Sequence, residues 1–310
     1  MFDFDILLQQ ILNGLVLGSV YALVALGYTM VYGILQLINF AHGEVLMIGA
    51  MVAVWLVPML LAAGLPPAVV LLIVVLAAIP VCMALSVAME RLAYRPLRNA
   101  PRLAPLITAI GMSIVLQTVA MIIWKPNPIV FPDLLPTTPV PIFGAILAPK
   151  QILILVVAAL MMTGLMLLVN KTRLGRAMRA TAENPRIAGL MGVNANQVIA
   201  ATFAIGAALA AVAGVLVALN YNIVHFSMGF IPGLKAFTAA VLGGIGNIAG
   251  AVVGGLLLGI IESLGAGYIG DLTGGFLGSH YQDIFAFAVL ILVLLFRPSG
   301  IMGERVADRA

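Results

Sequence analysis

The sequence predicts an all-α polytopic membrane protein. We expect one transmembrane domain over residues 1–310 with about eight transmembrane segments, some of them discontinuous or re-entrant. Of the 310 residues, 63% are hydrophobic and only 8% are charged, with a mean hydropathy of +1.19. A soluble domain of this length carries about a quarter charged residues. Several apolar runs also exceed the roughly 20 residues that cross a bilayer core as a helix.

The charged residues predict the orientation of the chain. Twelve of the fifteen Lys and Arg residues fall in three clusters: Arg91, Arg95, Arg98 and Arg102; Lys171, Arg173, Arg176, Arg179 and Arg186; and Arg297, Arg305 and Arg309. Short loops rich in such residues lie on the cytoplasmic side. Few cations occur at the start of the chain, which carries Asp3 and Asp5, or in the segments 125–150 and 271–283. These parts are therefore expected outside. The basic excess therefore reflects orientation, and nucleic-acid binding is not expected. The first residues, MFDFD, lack the basic region of a cleavable signal peptide, so the first helix is expected to stay in the membrane.

Hydrophobic runs predict membrane-spanning helices at about 10–34, 44–63, 68–90, 104–124, 151–170, 196–219 and 282–297. The segment 234–266 is apolar and rich in glycine. Because the helices before and after it each have an outer end, this segment must enter the membrane and return, as two short half-helices or a re-entrant hairpin. Non-helical backbone at that depth is stable only when it is buried in protein or lines a cavity.

A proline-rich loop is expected on the periplasmic side at residues 125–150. The connection from Trp124 to Lys150 carries seven prolines. This composition is unfavourable for helix and sheet alike, so the loop should be stiff and extended. It either only connects two spans or also docks another protein.

The loop 171–195 is polar and basic but has the pattern of two short helices. In the first, Arg173, Arg176 and Arg179 recur every three residues while apolar residues fall on another side, which makes an amphipathic helix. In the second, Asn184 is a good N-cap and Pro185 suits the first helical position.

Gly192 is a natural stop for the second helix, whose apolar face consists of Ile187, Ala188, Leu190 and Met191. Spacing alone leaves two interpretations: a solvated loop with orienting arginines, or a small helix that another protein covers. Exposure of Ile187, Leu190 and Met191 to water is unfavourable, which favours a partner.

The stretch NFAHGE, residues 39–44, places polar residues in an otherwise apolar region. Glu44 favours the start of a helix, at its positive dipole end. The stretch is either an inner turn with His42 and Glu44 at the water interface, or the interruption of a discontinuous helix near a transport path. In the second interpretation, the segment 243–250 would be the corresponding interruption in the other half. The candidate translocation path then comprises Asn39, His42, Gly43, Glu44, Gly244, Gly246 and Asn247.

Small residues four positions apart predict close contacts between helices, or the lining of a path that rearranges. These sets are Gly14 and Gly18; Gly206, Ala210 and Gly214; Gly246, Gly250 and Gly254; and Gly255 and Gly259. The stretch GGIGNIAG also matches a dinucleotide fingerprint, but no strand-like run precedes it, so nucleotide binding is not expected.

The sequence contains no G-x-x-x-x-G-K-[ST], H-E-x-x-H or G-x-S-x-G motif. No catalytic residue, cofactor or metal ligand is therefore assigned, and any ATP hydrolysis must occur on another subunit. Cys82 is expected to be a packed thiol. Glu262 should face a cavity or a partner, or lie at the outer interface; neither it nor Glu44 is assigned a ligand. His225 and His280 are placed in outer loops.

The stretches GYTMVYGILQLINFAHGEVLMIGA, TRLGRAMRATAENPRIAGLMGVN and GLKAFTAAVLGGIGNIAGAVVGGLLLGIIE resemble signature regions of the permeases of bacterial ABC importers of the branched-chain amino acid type. The size and order of the motifs are similar to the LivH type, since the LivM type is usually longer. The resemblance implies a cytoplasmic coupling helix in contact with an ATPase, formed by Glu183, Asn184, Pro185, Ile187, Leu190, Met191 and Gly192.

The resemblance also implies an assembly in the lipid of the bacterial inner membrane. Its other members would be two ABC ATPase subunits similar to LivG and LivF, a LivM-like second permease and a periplasmic amino-acid-binding protein. The implied substrates are leucine, isoleucine and valine. The residues alone leave other classes open: an ion-coupled secondary amino acid carrier, a non-transporting membrane scaffold, or the same scaffold importing urea or short amides.

Overall fold

A computed structural model describes residues 4–98, 100–101, 103–142, 144–273 and 282–303. Asp3, Arg102, His280, Arg305 and Arg309, which entered the orientation and loop predictions, lie outside these residues. Within the described part of the chain, seven helices are long and apolar enough to cross a membrane, and two shorter apolar helices accompany them. This confirms the prediction of an all-α polytopic membrane protein.

The helices follow the predicted spans closely. They are α1 Phe4–Leu35, α2 His42–Ala62, α3 Pro67–Met89, α4 Leu103–Trp124, α5 Pro149–Lys171, α6 Arg173–Glu183, α7 Pro185–Leu190, α8 Ala195–Tyr221, α9 Phe230–Gly243, α10 Ile248–Leu272 and α11 Gln282–Phe296. A π-helical turn, Glu90–Tyr94, and a 3-10 turn, Arg95–Leu97, extend α3. Four short strands are β1 Ile129–Val130, β2 Val140–Ile142, β3 Ala145–Leu147 and β4 Ile223–Val224.

The glycine-rich segment enters and returns as an antiparallel pair, α9 and α10. A Cβ placed on Gly250 would lie 2.5 Å from the carbonyl oxygen of Gly243, and one on Gly254 would meet the backbone of Ala239. The alternative of two short half-helices is wrong. Helix α9 has 14 residues, but α10 has 25, which at 1.5 Å per residue gives about 37 Å, enough to cross the membrane. The glycines of α10 pack against neighbouring backbones without interrupting the helix.

Helices α1 and α8 form the centre of the bundle. In each of them, 89% of the most apolar 18-residue stretch is buried, compared with 22% in the spans of α3, α4 and α5. Helix α1 packs along α10, and α8 packs against α2 and α3. Helices α3, α4 and α5 are therefore peripheral, and most of their surface lies on the outside of the bundle.

Glycines allow α1 and α10 to approach closely. A Cβ on Gly14 would lie 2.6 Å from the Cα of Ile260, and one on Gly18 would lie 2.7 Å from the carbonyl oxygen of Gly255. Side chains larger than hydrogen would force the two backbones apart. In this pair of helices, the predicted small-residue faces are contact surfaces.

The described residues of the three basic clusters lie toward one end of the bundle, named here the basic end. Arg98 donates from Nη1 to Asn196 Oδ1 (2.6 Å), which joins the first cluster to the start of α8. The second cluster directly precedes α8 in the chain. The segment that follows Arg297 bonds to the end of α9, with Met302 N donating to the carbonyl oxygen of Gly243 at 2.9 Å. This arrangement agrees with the orientation that the charge pattern predicts.

The start of α1, the proline-rich loop and the α8–α9 connection share the opposite end. Gln9 exchanges two hydrogen bonds with the backbone of Ile146, at 3.0 and 2.8 Å. Strand β1 pairs with β4, and β2 pairs with β3, both antiparallel. The expectation that the loop excludes sheet is therefore wrong. Each strand is an edge, and a proline such as Pro141 is tolerated there because its missing N–H need not face a partner.

Candidate functional site

Helix α6 is fixed against the end of α5. Thr172 Oγ1 accepts a hydrogen bond from the backbone N of Gly175 (3.1 Å), which caps the helix. The Arg179 guanidinium donates to the carbonyl oxygen of Val169. Met178, the residue before Arg179, is buried. The predicted amphipathic helix therefore lies on the bundle and orients the segment that follows it.

Helix α7 has the predicted cap at each end. Asn184 Oδ1 accepts hydrogen bonds from the backbone N–H groups of the second and third helical residues, at 3.0 and 3.1 Å. Pro185 occupies the first position. Gly192 has φ +85°, a left-handed conformation that favours glycine, and Val193 N donates back to the carbonyl oxygen of Ala188 at 3.0 Å. This short helix is thus defined locally at both ends.

Three large apolar side chains of this segment point away from the rest of the bundle. Ile187, Leu190 and Met191 are 59%, 87% and 81% exposed, whereas Ala188 is buried against the bundle. Glu183, the last residue of α6, is also exposed. We name the group Ile187, Leu190 and Met191 the exposed α7 surface. An exposed apolar group on a capped helix at the basic end is suited to contact with another protein.

Helix α2 begins inside the bundle, above the basic end. Helix α1 ends where Gln36 adopts φ +54°. A non-helical segment then leads back, so that the His42 ring fills the space beside Gly27, where no Cβ could be placed. Gly27 lies eight residues before the end of α1. At 1.5 Å per residue, the His42 ring therefore lies about 12 Å into the bundle from that end of the helix. His42 is only 2% exposed, so the placement of its side chain at a water interface is wrong.

The polar side chains on either side of His42 are also buried. Tyr94 donates its hydroxyl hydrogen bond to Asn39 Oδ1 at 2.6 Å. Ser113 Oγ and Gln117 Nε2 donate to Glu44 Oε1 at 3.0 and 2.7 Å. Glu44 is 1% exposed, which corrects its interface placement too. Among the described residues, Asn39 Nδ2 and Glu44 Oε2 have no hydrogen-bond partner.

Gly43 brings the start of α2 against the start of α9. A Cβ on Gly233 would lie 2.9 Å from the Cα of Gly43, and one on Gly229 would lie 2.9 Å from a Glu44 carboxylate oxygen. Each of these three positions therefore requires a hydrogen in place of a side chain. Two helix starts meet at this point, deep in the bundle.

The turn between α9 and α10 forms the other half of the predicted path. Gly244 and Gly246 have φ of +109° and +95°, and Asn247 Oδ1 caps α10 by accepting from Gly250 N at 3.0 Å. The grouping of Gly246 with Gly250 on one helix face is wrong, because Gly246 lies in the turn. The 14 residues of α9, about 21 Å of helix, separate this turn from Gly43. The two predicted halves therefore lie at different depths.

A buried ion-pair cluster contains a residue to which the sequence analysis gave no role. Lys235 Nζ lies 2.5 Å from Glu262 Oε1 and 2.7 Å from Asp283 Oδ1. Tyr21 donates to Glu262 Oε2 at 3.1 Å. Glu262 is 2% exposed and lines a polar cavity, so it faces its ion-pair partners and that cavity rather than the outer interface. The available signal was Lys235 itself, because a lysine within an apolar helix requires a buried partner.

Helices that start inside the bundle, buried ionisable groups and an exposed capped helix at one end define a membrane protein of the transporter class. Residues 10–294 match the family described as "Branched-chain amino acid transport system / permease component", and the chain belongs to this family.

The chain is 51% identical over 307 residues to the high-affinity branched-chain amino acid transport system permease protein BraD of Pseudomonas aeruginosa, covering 97% of each chain. It is 46% identical, with the same coverage, to LivH of Escherichia coli K12. A shorter match, 37% identical over 148 residues, covers 47% of this chain and 46% of a probable LivH permease of Methanocaldococcus jannaschii. No solved structure matches the chain.

Proposed function

We propose that this chain is the LivH-type permease subunit of an ABC importer in the bacterial inner membrane, and that it moves leucine, isoleucine and valine inward. The names of the relatives from Pseudomonas aeruginosa and Escherichia coli support this substrate class. The sequence has no phosphate-binding motif for ATP, so hydrolysis belongs to separate subunits.

The observation that carries the proposal is the exposed α7 surface. Asn184 and Gly192 fix the helix at both ends, while Leu190 and Met191 are more than four-fifths exposed. Burial of such side chains contributes about 1.5–3 kcal/mol each. An ATPase groove that covers them therefore gains affinity at a point from which its movement is transmitted.

The proposed movement passes through α6 to the central helices. Helix α6 contacts both α1 and α8. These two helices enclose His42, since its ring fills the space beside Gly27 on α1 and a Cβ on Gly206 of α8 would lie in van der Waals contact with it, at 3.6 Å. Displacement of α6 would thus change the packing of α1 and α8 around His42, at the start of α2. In this mechanism the start of α2, Asn39–Glu44, borders the translocation path, and the turn Gly244–Asn247 borders its basic end.

The proposed partners supply the steps that this chain does not perform: ATP hydrolysis, the second half of the path and substrate delivery. Two ATPase subunits of the LivG and LivF type bind the basic end, and a LivM-like permease completes the path. A periplasmic amino-acid-binding protein delivers the substrate to the opposite end, which carries the proline-rich loop. Specificity then rests mainly with the binding protein.

The proposal is tested by affinity purification of the tagged chain from native membranes, with mass spectrometry of the accompanying proteins. Two ATPases and a second permease should be recovered. Leu190→Asp should reduce ATPase recovery at least about tenfold, since the loss of about 1.4 kcal/mol already gives that factor. Leu190→Met is the matched control because it keeps an apolar side chain of similar volume.

Each alternative predicts a different result. Full ATPase recovery and uptake with Leu190→Asp would refute the assignment of α7. Uptake that collapses with an uncoupler at constant ATP would identify an ion-coupled carrier instead. Uptake of urea or short amides, without uptake of leucine, isoleucine or valine, would retain the importer and replace the substrate.

A further inference from the structure

A polar cavity of about 190 Å³ lies at the opposite end of the bundle, between α1, α5, α8 and α10. Its polar side chains are Asn13, Gln151, Asn220, Tyr221, Glu262 and Ser263. Apolar side chains, including Leu17 and Ala266, complete its wall. The volume corresponds to roughly six water molecules at about 30 Å³ each. This limits an occupant to about the size of a single amino acid.

Glu262 in the cavity wall belongs to an ion-pair cluster with an excess of negative charge. Glu262 is 2% exposed, and it shares its lysine partner with a second carboxylate, since Lys235 Nζ is also 2.7 Å from Asp283. Two carboxylates and one ammonium leave one negative charge. A carboxylate offers about four acceptor positions, and the hydrogen bonds from Lys235 and Tyr21 leave room on Glu262 for one more donor. The Glu262 carboxylate is therefore suited to a second ammonium group.

A positive charge lies beside the cavity, on a residue that contacts its wall. Lys150 Nζ donates to the carbonyl oxygen of Asn220 at 3.0 Å and to Asn222 Oδ1 at 2.7 Å. An ammonium group has three donors, so one N–H remains beyond these two contacts. Asn220 lines the cavity, which places this lysine beside it. The carboxylate in the cavity wall and the ammonium group of Lys150 beside it complement a zwitterion.

We propose that this cavity is a binding site of the permease itself for a zwitterionic aliphatic amino acid. The α-ammonium group binds Glu262, the α-carboxylate points to Lys150, and the aliphatic side chain packs near Leu17 and Ala266. The proposal rests on the proposed function and deepens it, because it adds a substrate site between delivery and passage. Lys235 on α9 is already paired with Glu262 on α10. An arriving ammonium group therefore competes with the ion pair that joins these two helices.

The test measures ligand-induced thermal stabilisation of the intact permease pair in lipid nanodiscs. Leucine is compared with isopentylamine, which lacks the carboxylate, and with isocaproate, which lacks the ammonium group. We expect leucine to stabilise most, isopentylamine less and isocaproate not at all. Glu262→Gln should weaken the responses to leucine and isopentylamine at least tenfold. Lys150→Gln should remove the advantage of leucine over isopentylamine and leave the amine response.

A second variant keeps the test decisive if Glu262→Gln fails to fold. Ala266→Phe fills the cavity without altering the ion pair and should abolish all ligand responses. Equal leucine responses in the wild type and both variants would overturn the proposal, as would a wild type without any response. Uptake by the complete importer in proteoliposomes is measured in parallel. Uptake without a ligand response refutes the cavity site alone, whereas absence of leucine, isoleucine and valine uptake refutes the proposed function.

Discussion

The contact between α1 and α10 gives a prediction whose size follows from the structure. A Cβ on Gly18 would lie 2.7 Å from the carbonyl oxygen of Gly255 and 2.8 Å from the Cα of Leu256. Ordinary contacts begin near 3.4 Å, so the two backbones must separate by about 0.7 Å. Overpacking of this kind costs about 1–3 kcal/mol. Gly18→Ala should therefore destabilise the bundle through this contact.

A matched control isolates the packing cost. Alanine is favoured over glycine within a helix by roughly 0.5–1 kcal/mol, and this gain applies to Gly18→Ala as well. In α4, a Cβ on Gly111 would meet nothing within 4 Å. Gly111→Ala should thus show the helix gain alone. The two variants should differ by about 1–3 kcal/mol, roughly a 5- to 150-fold difference in the unfolding equilibrium.

The assay is reversible unfolding of the purified chain in mixed micelles, followed by helical circular dichroism. Gly111→Ala should be as stable as the wild type or more stable, and Gly18→Ala less stable. Equal stability of the two variants would refute the reasoning, because it would mean that α1 and α10 can separate at no cost.

Three further predictions use the same unfolding assay or a direct readout. Lys235→Met should destabilise the bundle by about 3–5 kcal/mol, because it leaves Glu262 buried without its cation, and a second change, Glu262→Met, should recover most of the loss; a neutral single variant would contradict the ion pair. Asn184→Ala should cost α7 about 1 kcal/mol of cap stability, seen as faster amide hydrogen exchange in that helix and lower ATPase recovery without a change in bundle stability. Tyr94→Phe should cost about 0.5–1.5 kcal/mol, because Asn39 Oδ1 loses its hydroxyl donor and keeps only the backbone N–H of Ala41 at 3.2 Å, and unchanged unfolding would show that this hydrogen bond contributes nothing.

Features set by residues close in sequence could be predicted. The caps of α7 are one example, since Asn184 and Gly192 act on backbone groups within a few positions of themselves. The span boundaries are another, since apolar runs and polar loops alternate along the chain. Both depend on chemistry that the local sequence contains in full.

Features set by distant contacts could not be predicted. Gly246 and Gly250 have the same local composition, but one lies in a turn with nothing within 4 Å, while the other packs against Gly243. The start of α2 is similar, because its depth depends on the fit of His42 beside Gly27 and Gly206. Hydropathy is the same for a turn at the membrane surface and for a segment that returns into the bundle.

The Lys235–Glu262 pair lies between these cases. An antiparallel hairpin brings together residues at equal distances from its turn, and in α9 and α10 Ala239 accordingly faces Gly254. By the same geometry Lys235 faces a position about one turn before Glu262, a gap of about 6 Å that two long side chains can bridge. Glu262 is the only acidic residue between Ile248 and Gly270. A buried lysine requires a partner, so the charge rule indicates Glu262 once the register of the α9–α10 hairpin is known. The third member, Asp283, depends on where α11 packs, and no local pattern contains that information.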